Sequence, residues 1–360
     1  MPNLKTIHLV IFGIGNVGST LINQINATKP RLKEKLSLNI EIPVVTNSKL
    51  VFFNDNSTVD TWETNFEKFS VPFNVNEIIE YLNLKKLKHV IIIDATASID
   101  LVQNYIAFIE NGFHIVSANK LANTLHYDFY THLRRKLIKH DTSFLYETNV
   151  GAGLPLIETI KRMYDSGEEI NRIRGVFSGS LSYVFNTFSS ENKSFSKVLN
   201  QASKLGLTEP DAREDLSGND VARKLLILAR ELDLDVEFQN IKIESLVPKQ
   251  LNGKTTLHQF KNRIKELDQP LLKRKQTLAH NEVLRYVGEL DVKSKVLEVK
   301  LISENSNSTL GQLKGADAIF EIFSESYGDK PLVIQGAGAG KNVTARGILS
   351  DIVKLSSNLN

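Results

Sequence analysis

The sequence has 360 residues, which is room for two domains. It is 41% hydrophobic, 24% charged and 8% aromatic, an ordinary globular balance with enough apolar content for a sizeable core. The 44 Lys and Arg against 41 Asp and Glu leave a formal charge of +3, and the short basic clusters (Lys85-Lys86-Leu87-Lys88, Arg134-Arg135-Lys136, Lys273-Arg274-Lys275) are scattered without interleaved aromatics, which argues against nucleic acid as a partner.

The absence of cysteine excludes a disulfide framework, a thiolate nucleophile, Fe–S ligation and Cys-based zinc. No apolar stretch approaches the roughly 18 residues of a membrane span, and Ile7–Phe12 is too short for a signal core. The expectation is a soluble cytoplasmic protein with no membrane partner. The Asn-x-Ser/Thr triplets at 56–58 and 192–194 read as chance in the absence of a secretion signal.

In chain order, Ile7–Phe12 is a near-continuous apolar run, as a strand buried on both faces requires. Gly13-Ile14-Gly15-Asn16-Val17-Gly18 follows, then Leu21, Ile22 and Ile25 at helical spacing. A GxGxxG run carries weight in this context, between a buried strand and a helix. Gly13 permits the tight turn, Gly15 lets backbone approach a pyrophosphate, and Gly18 lets helix and strand pack closely. The helix N-terminus supplies unpaired N–H groups to the phosphates.

A second strand is predicted at Ile40–Val45, with Pro43 placing it near an edge or at a bulge. It ends in Thr46-Asn47-Ser48-Lys49, with no acid to take ribose hydroxyls. Ser48 and Lys49 suit a 2′-phosphate, which favours NADP(H) over NAD(H); an ordinary exposed loop lysine is the competing reading. Val90–Ile93 is a clearer strand, followed by a helix over Val102–Glu110 and a strand at His114–Ser117. Lys120, just beyond that strand, lies where ligands of such sheets bind, or is a plain surface lysine.

Strands alternating with helices predict an α/β fold with a Rossmann-type doubly wound parallel sheet. After Gly151-Ala152-Gly153 the pattern changes. Strand-like segments at Ile173–Phe188 and Leu284–Leu301 predict an inserted α+β domain. The end returns to strand (Pro331–Ile334), glycines (Gly336–Gly340) and helix (Ile348–Leu355). The expected domains are therefore residues 1–149 with 332–360 for the dinucleotide, and 150–331 for substrate binding, catalysis and dimerisation.

Lys341 after these glycines does not make a P-loop: position 335 is Gln and position 342 is Asn. The glycines are better used as a second close-approach segment near the nicotinamide end. There is no HExxH and no GxSxG, so hydrolase readings lose ground. The run Thr208–Asp220 is dense in carboxylates but does not fit a calcium loop. Asp220 and Lys224 share a helix face ahead of an all-apolar stretch. Two readings stand, a surface ion pair contributing about 0.2–0.5 kcal/mol and a lysine with a poised carboxylate suited to proton transfer.

Taken in order, the glycine turn, Ser117-Ala118-Asn119-Lys120, Glu147-Thr148-Asn149-Val150-Gly151-Ala152-Gly153-Leu154-Pro155, Phe177–Tyr183 and Glu209–Lys224 resemble homoserine dehydrogenase, most closely the dehydrogenase half of the bifunctional aspartokinase–homoserine dehydrogenases. The resemblance covers essentially the whole sequence, and includes neither the kinase half nor the regulatory domain of some relatives. It implies reversible reduction of L-aspartate 4-semialdehyde to L-homoserine with NAD(P)H, in threonine, methionine and isoleucine biosynthesis, by a homodimer or higher oligomer.

By that resemblance, Lys224 is the principal acid/base, Lys120 supports it and Asp220 orients it. Glu209 and Asp215 take the substrate ammonium beside Gly179 and Ser180. Gly13, Gly15, Asn16, Val17, Thr96, Lys120 and Gly340 contact the cofactor, and Glu147, Val150, Ala152 and Leu154 ligate a monovalent cation, Na+ or K+. Ala118 and Ala212 stand where many relatives have Pro, and Ser180 where they have Thr; these departures touch fine geometry and not the reaction. The alternatives are another Rossmann semialdehyde or sugar oxidoreductase, and a non-catalytic NADP-binding regulator.

Overall fold

A computed structural model describes residues 4–54, 61–253 and 255–359; the triplet at 56–58 lies outside them. The chain divides into two compact units, residues 1–153 with 340–360 and residues 154–339.

Among the described residues of the first unit, seven strands form one sheet: β1 (Lys5–Phe12), β2 (Leu38–Thr46), β3 (Leu50–Phe53), β4 (Val71–Pro72), β5 (Val90–Asp94), β6 (His114–Ser117) and β7 (Phe144–Leu145), in the order β4-β3-β2-β1-β5-β6-β7. β2, β1, β5, β6 and β7 run parallel, and β3 and β4 are added antiparallel at one edge. Side-chain parity divides the core. Ile7, Leu9 and Ile11 of β1 and Ile91 and Ile93 of β5 pack with helix Asn16–Leu36 and the C-terminal helix Lys341–Asn358. Val10, Phe12, Val90 and Ile92 point the other way, onto Ile78, Leu82, Tyr105, Phe108 and Leu133. Burial on both faces is why these strands read as unbroken apolar runs.

The order reverses at β1, since the chain runs outward to β4 and then crosses to β5. This places a crevice at the carboxyl ends of β1, β2 and β5. Pro43 sits at a bulge inside the sheet: the register slips between His8↔Glu41 and Val10↔Val44. The predicted helix over 102–110 is divided at Asn104 into Ile99–Gln103 and Tyr105–Glu110.

The second unit carries six strands among its described residues: β8 (Ile170–Val176), β9 (Lys242–Ile243), β10 (Glu282–Asp291), β11 (Val296–Asn305), β12 (Ala318–Ser324) and β13 (Leu332–Gly336), in the order β13-β12-β8-β10-β11-β9. Two expectations change here. The strand-like run from Ile173 ends at Val176, and Gly179–Ser190 is a helix capped by Ser178, whose hydroxyl accepts from Leu181 N. β13 does not return to the first sheet: it pairs antiparallel with β12, Ala318 opposite Gly336. Residues 332–339 thus belong to the second unit rather than to the dinucleotide domain, and Gly338 packs on Ala318. Of the terminal glycines, Gly340 alone lies in the first unit, capping the C-terminal helix.

Candidate active site

The glycine turn follows β1 in a conformation only these residues tolerate. Gly13 has φ 93°, and a Cβ there would lie 2.8 Å from Thr96 Cγ2. A Cβ on Gly18 would lie 1.8 Å from the Gly13 carbonyl oxygen. Gly15 faces open space; it caps helix Asn16–Leu36 without a side-chain hydrogen bond, and no acid stands in the first turn. Asn16 is exposed and Val17 half-buried at this N-terminus. Gly340 opens the C-terminal helix in the same way, with φ 114° and open space around it. The two helices pack together, and Gln24 Nε2 donates to Asn342 O at 3.0 Å.

Beside the turn is a cleft of about 270 Å³, lined among others by Gly13, Thr46, Ser48, Phe73, Thr96 and Leu101. Asn47 closes the β2–β3 turn by accepting from Lys49 N and Leu50 N, both at 2.8 Å; Ser48 lines the cleft, and Ser48 and Lys49 are exposed.

Asp94, ending β5, is fully buried. It accepts from Thr96 N (2.8 Å), Thr96 Oγ1 (2.7 Å), the Tyr105 hydroxyl (2.7 Å) and Asn119 Nδ2 (3.0 Å). Burial pushes its carboxyl up from the usual range, and these donors pull it back part of the way. Burial and the Asp94 charge push the Tyr105 phenol well above its ordinary value, so it stays neutral and donates. Lys120, half-buried, opens the short helix Leu121–Thr124 directly after Asn119.

In the second unit, helix Asn219–Arg230 begins at Gly218 and carries Asp220 in its first turn. Lys224, one turn on, is 8% exposed. Its Nζ donates to Phe177 O at 2.8 Å and pairs with Asp220 Oδ2 at 2.7 Å. The ammonium has three N–H bonds, and its protein partners are this one carbonyl and this one carboxylate. The pair is therefore no solvated surface bridge: the lysine is buried, and its carboxylate is 46% exposed.

Next to it, Asp215 Oδ1 accepts from Ser180 Oγ at 2.6 Å and Oδ2 from Glu209 N at 2.9 Å. Burial pushes the Asp215 carboxyl up; the Ser180 and Glu209 donors oppose this, and the neighbouring Asp220 charge adds to it. Gly179 sits under Ala316, whose carbonyl oxygen a Cβ would meet at 2.9 Å. Of the residues named from the sequence, Lys224, Asp220, Asp215, Ser180, Gly179 and Glu209 thus gather in this unit. Ala212 begins helix Ala212–Leu216, the one helical position where proline is equally at home, so its departure from the family pattern disturbs little.

The segment 147–153 runs from the 3-10 turn Glu147–Asn149 into Gly151 (φ 79°) and Ala152 (φ 54°), two successive left-handed residues that turn the peptide carbonyls away from regular pairing. Glu147 N donates to Asp351 Oδ2 at 3.0 Å, and Gly347 lies against Thr148 and Ala152 O. No group of three or more His, Asp or Glu suited to a metal occurs among the described residues. One carboxylate with backbone carbonyls fits a hard monovalent cation better than a divalent one.

The homoserine dehydrogenase family model matches residues 155–353, and the model of the homoserine dehydrogenase NAD-binding domain matches residues 13–147. A homoserine dehydrogenase of Paracoccidioides brasiliensis is 35% identical over 369 residues, covering 99% of each chain. The chain belongs to the homoserine dehydrogenase family. Its first unit is accordingly that family's NAD-binding domain. A bifunctional aspartokinase/homoserine dehydrogenase of Buchnera aphidicola is 39% identical over 99% of this chain, and this chain spans 43% of that protein. A crystal structure of a Candida auris protein of unknown function superposes with a TM-score of 0.89 at 33% identity, covering 98% of this chain and 99% of that one.

For this homoserine dehydrogenase family member, sequence reasoning missed Asp94, Tyr105, Asn119 and the Phe177 carbonyl. Asp94 had a signal, an acid ending an otherwise apolar strand. The Phe177 carbonyl had none, since any residue type presents one.

Proposed function

We propose that the chain reduces L-aspartate 4-semialdehyde to L-homoserine, reversibly, using a nicotinamide dinucleotide. The observation that carries this reading is Lys224, held buried on Asp220 and Phe177 O beside the Ser180–Asp215 pair. The cofactor, when bound, supplies hydride to the aldehyde carbon. Lys224 directs an N–H to the aldehyde oxygen, stabilises the negative charge that grows there, and passes it a proton. Asp220, half-exposed, holds the ammonium in place and connects it to solvent for reprotonation. Asp215 and Glu209 receive the substrate's own ammonium, which relieves the crowding of negative charge at Asp215, and Gly179 and Ser180 line that subsite. Lys120 assists at the cofactor side. The test is NADPH consumption with aspartate 4-semialdehyde and identification of homoserine as product; consumption without homoserine would favour another semialdehyde or sugar oxidoreductase.

We further propose NADP(H) as the preferred cofactor, NAD(H) being the alternative, with Gly13, Gly15, Asn16, Val17, Gly18, Thr96, Lys120 and Gly340 contacting it. Residues 46–54 carry no carboxylate, Ser48 lines the cleft, and the adjoining Lys49 is exposed. Lys49→Glu is expected to lower the ratio of kcat/KM for NADP over NAD about tenfold, roughly the 1.4 kcal/mol of one lost attraction and one added repulsion. An unchanged ratio would remove Lys49 from the specificity argument. Glu147, Val150, Ala152 and Leu154 are the proposed ligands of Na+ or K+. A cytoplasmic homodimer serving threonine, methionine and isoleucine biosynthesis is carried by the family resemblance alone.

The raised Asp215 carboxyl gives a pH signature. Its protonated form cannot pair with an ammonium, so kcat/KM for homoserine falls on the acid side at a pH above that of an ordinary carboxylate. Asp215→Asn is expected to flatten that limb and raise KM at neutral pH. Because the folded state holds this proton more tightly than the unfolded chain, stability due to Asp215 grows as pH falls from its folded value to its unfolded one. The Asn variant therefore gains most in relative stability at neutral pH, a sign that thermal melts at two pH values would check.

A further inference from the structure

Two loops that carry proposed cofactor-side residues leave the sheet at neighbouring strands, Thr96 after β5 and Lys120 after β6. One buried side chain is bonded into both. Asp94 takes two hydrogen bonds from Thr96 and one from Asn119 Nδ2, and Asn119 Nδ2 also donates to Ser98 O at 3.0 Å. Asn119 Oδ1 accepts from Leu121 N at 3.1 Å, so the residues on both sides of Lys120 are held through this one amide.

The bond from Tyr105 has a fixed direction. An ionised carboxylate only accepts, so Tyr105 donates to Asp94. Ser117 Oγ also lies 2.9 Å from the Tyr105 oxygen, accepts from Asn119 N at 2.9 Å and donates to Asn119 O at 3.4 Å. The result is a closed ring: Asn119 amide to Ser117 to Tyr105 to Asp94, with the Asn119 side chain returning to the same carboxylate. Asp94, Ser117 and Asn119 are all buried. Each partner of Asp94 is a neutral donor, so the network is not an ion pair, and its acceptor-only carboxylate sets the orientation of the Thr96 and Tyr105 hydroxyls.

We infer that Asp94, acting through Asn119 and Tyr105, is the positioning residue that fixes the Thr96 and Lys120 turns in one shared geometry. The inference rests on the reading of Lys120 as an assisting residue of the dehydrogenase. Asp94 is fully buried, so it acts through the groups bonded to it. Replacing one of its oxygens by an amide presents an N–H to donors and breaks the ring, whereas removing the Tyr105 hydroxyl opens it at a single link and keeps the packing of the ring on Phe144.

The experiment measures kcat, KM for homoserine and NADPH affinity by fluorescence, for Tyr105→Phe and Asp94→Asn, each alone and combined with Lys120→Met. Tyr105→Phe is expected to lower kcat about tenfold with KM for homoserine unchanged, the loss of one hydrogen bond to a charged acceptor. Asp94→Asn is expected to lower kcat about 100-fold, the effect of a small misplacement of an acting group, and to weaken NADPH binding through Thr96. In the Lys120→Met background both kcat losses are expected to vanish, because the network then has no lysine to position. Losses that persist there, or variants that lose thermal stability while keeping wild-type kcat, would overturn the inference. If the unmodified chain does not oxidise homoserine at all, the functional reading fails instead. NADPH affinity then decides alone: binding unaffected by Asp94→Asn overturns the positioning role, and weakened binding supports it.

Discussion

Lys224→Ala is expected to lower kcat for homoserine by about 10³-fold or more while NADP binding stays at the unmodified level. The size follows from two losses at one atom. A positioned general acid/base contributes roughly 10²–10⁴-fold, and a donor aimed at a developing oxyanion roughly 10²–10³-fold; the two overlap because one ammonium performs both. Retained cofactor binding is expected because the partners of Lys224 are Phe177 O and Asp220, and none of the residues proposed to contact the dinucleotide is among them. The substitution also leaves Phe177 O without its donor, a cost of about 1–3 kcal/mol for a buried acceptor, so a modest fall in Tm accompanies the loss of turnover. Asp220, half-exposed, remains solvated. Lys224→Arg separates charge from proton transfer: it keeps the positive charge in a bulkier fork that does not release a proton. A non-catalytic NADP-binding protein would show no turnover to lose.

The second large effect is expected at the glycine turn, and it distinguishes the roles of two glycines, Gly15 and Gly18, that lie close in sequence. A methyl at Gly18 would sit 1.8 Å from Gly13 O and 2.9 Å from Gly13 C, with Ala95 Cβ at 3.5 Å and no flexible side chain to yield. Gly18→Ala is therefore expected to destabilise the first unit by about 1–3 kcal/mol or more and to weaken NADP binding as the turn opens. Gly15 faces open space, so Gly15→Ala leaves thermal stability near the unmodified level. Its methyl nevertheless stands where a pyrophosphate must meet backbone N–H groups, and cofactor affinity is expected to fall about tenfold or more. Equal loss of stability in both variants would contradict this assignment of a packing role to one and a binding role to the other.

Legibility in the sequence followed the range of the interactions. Ile7–Phe12, the glycine turn and Val90–Ile93 are local patterns, and the structure has their strands and helix where the pattern puts them. Gly179–Ser190 reads as strand-like in sequence because Leu181, Val184, Phe185 and Phe188 are interspersed with serines and aromatics that also suit strands; its start signal is the single cap, Ser178. β13 is a strand followed by glycines and a helix, the same local order that opens the chain. Which sheet it joins depends on pairing with β12, and period-two patterning carries no information on that.

At the site, the carboxylate-rich run and Lys224 were visible as a dense local block. The Asp94 ring was not, since its members come from β5, the helix Tyr105–Glu110, β6 and the following turn and meet only in the folded sheet. For Asp220–Lys224, the burial of the lysine removes the solvated surface pair, a property that spacing alone does not set, and the proton-transfer role is the proposal made above.

The most direct measurement is steady-state L-homoserine oxidation by the unmodified chain, followed by nicotinamide absorbance with NADP and NAD in parallel. Saturable, homoserine-dependent cofactor reduction, faster with NADP, is the predicted result. A folded chain that binds NADP yet reduces none in the presence of homoserine would contradict the proposed reaction.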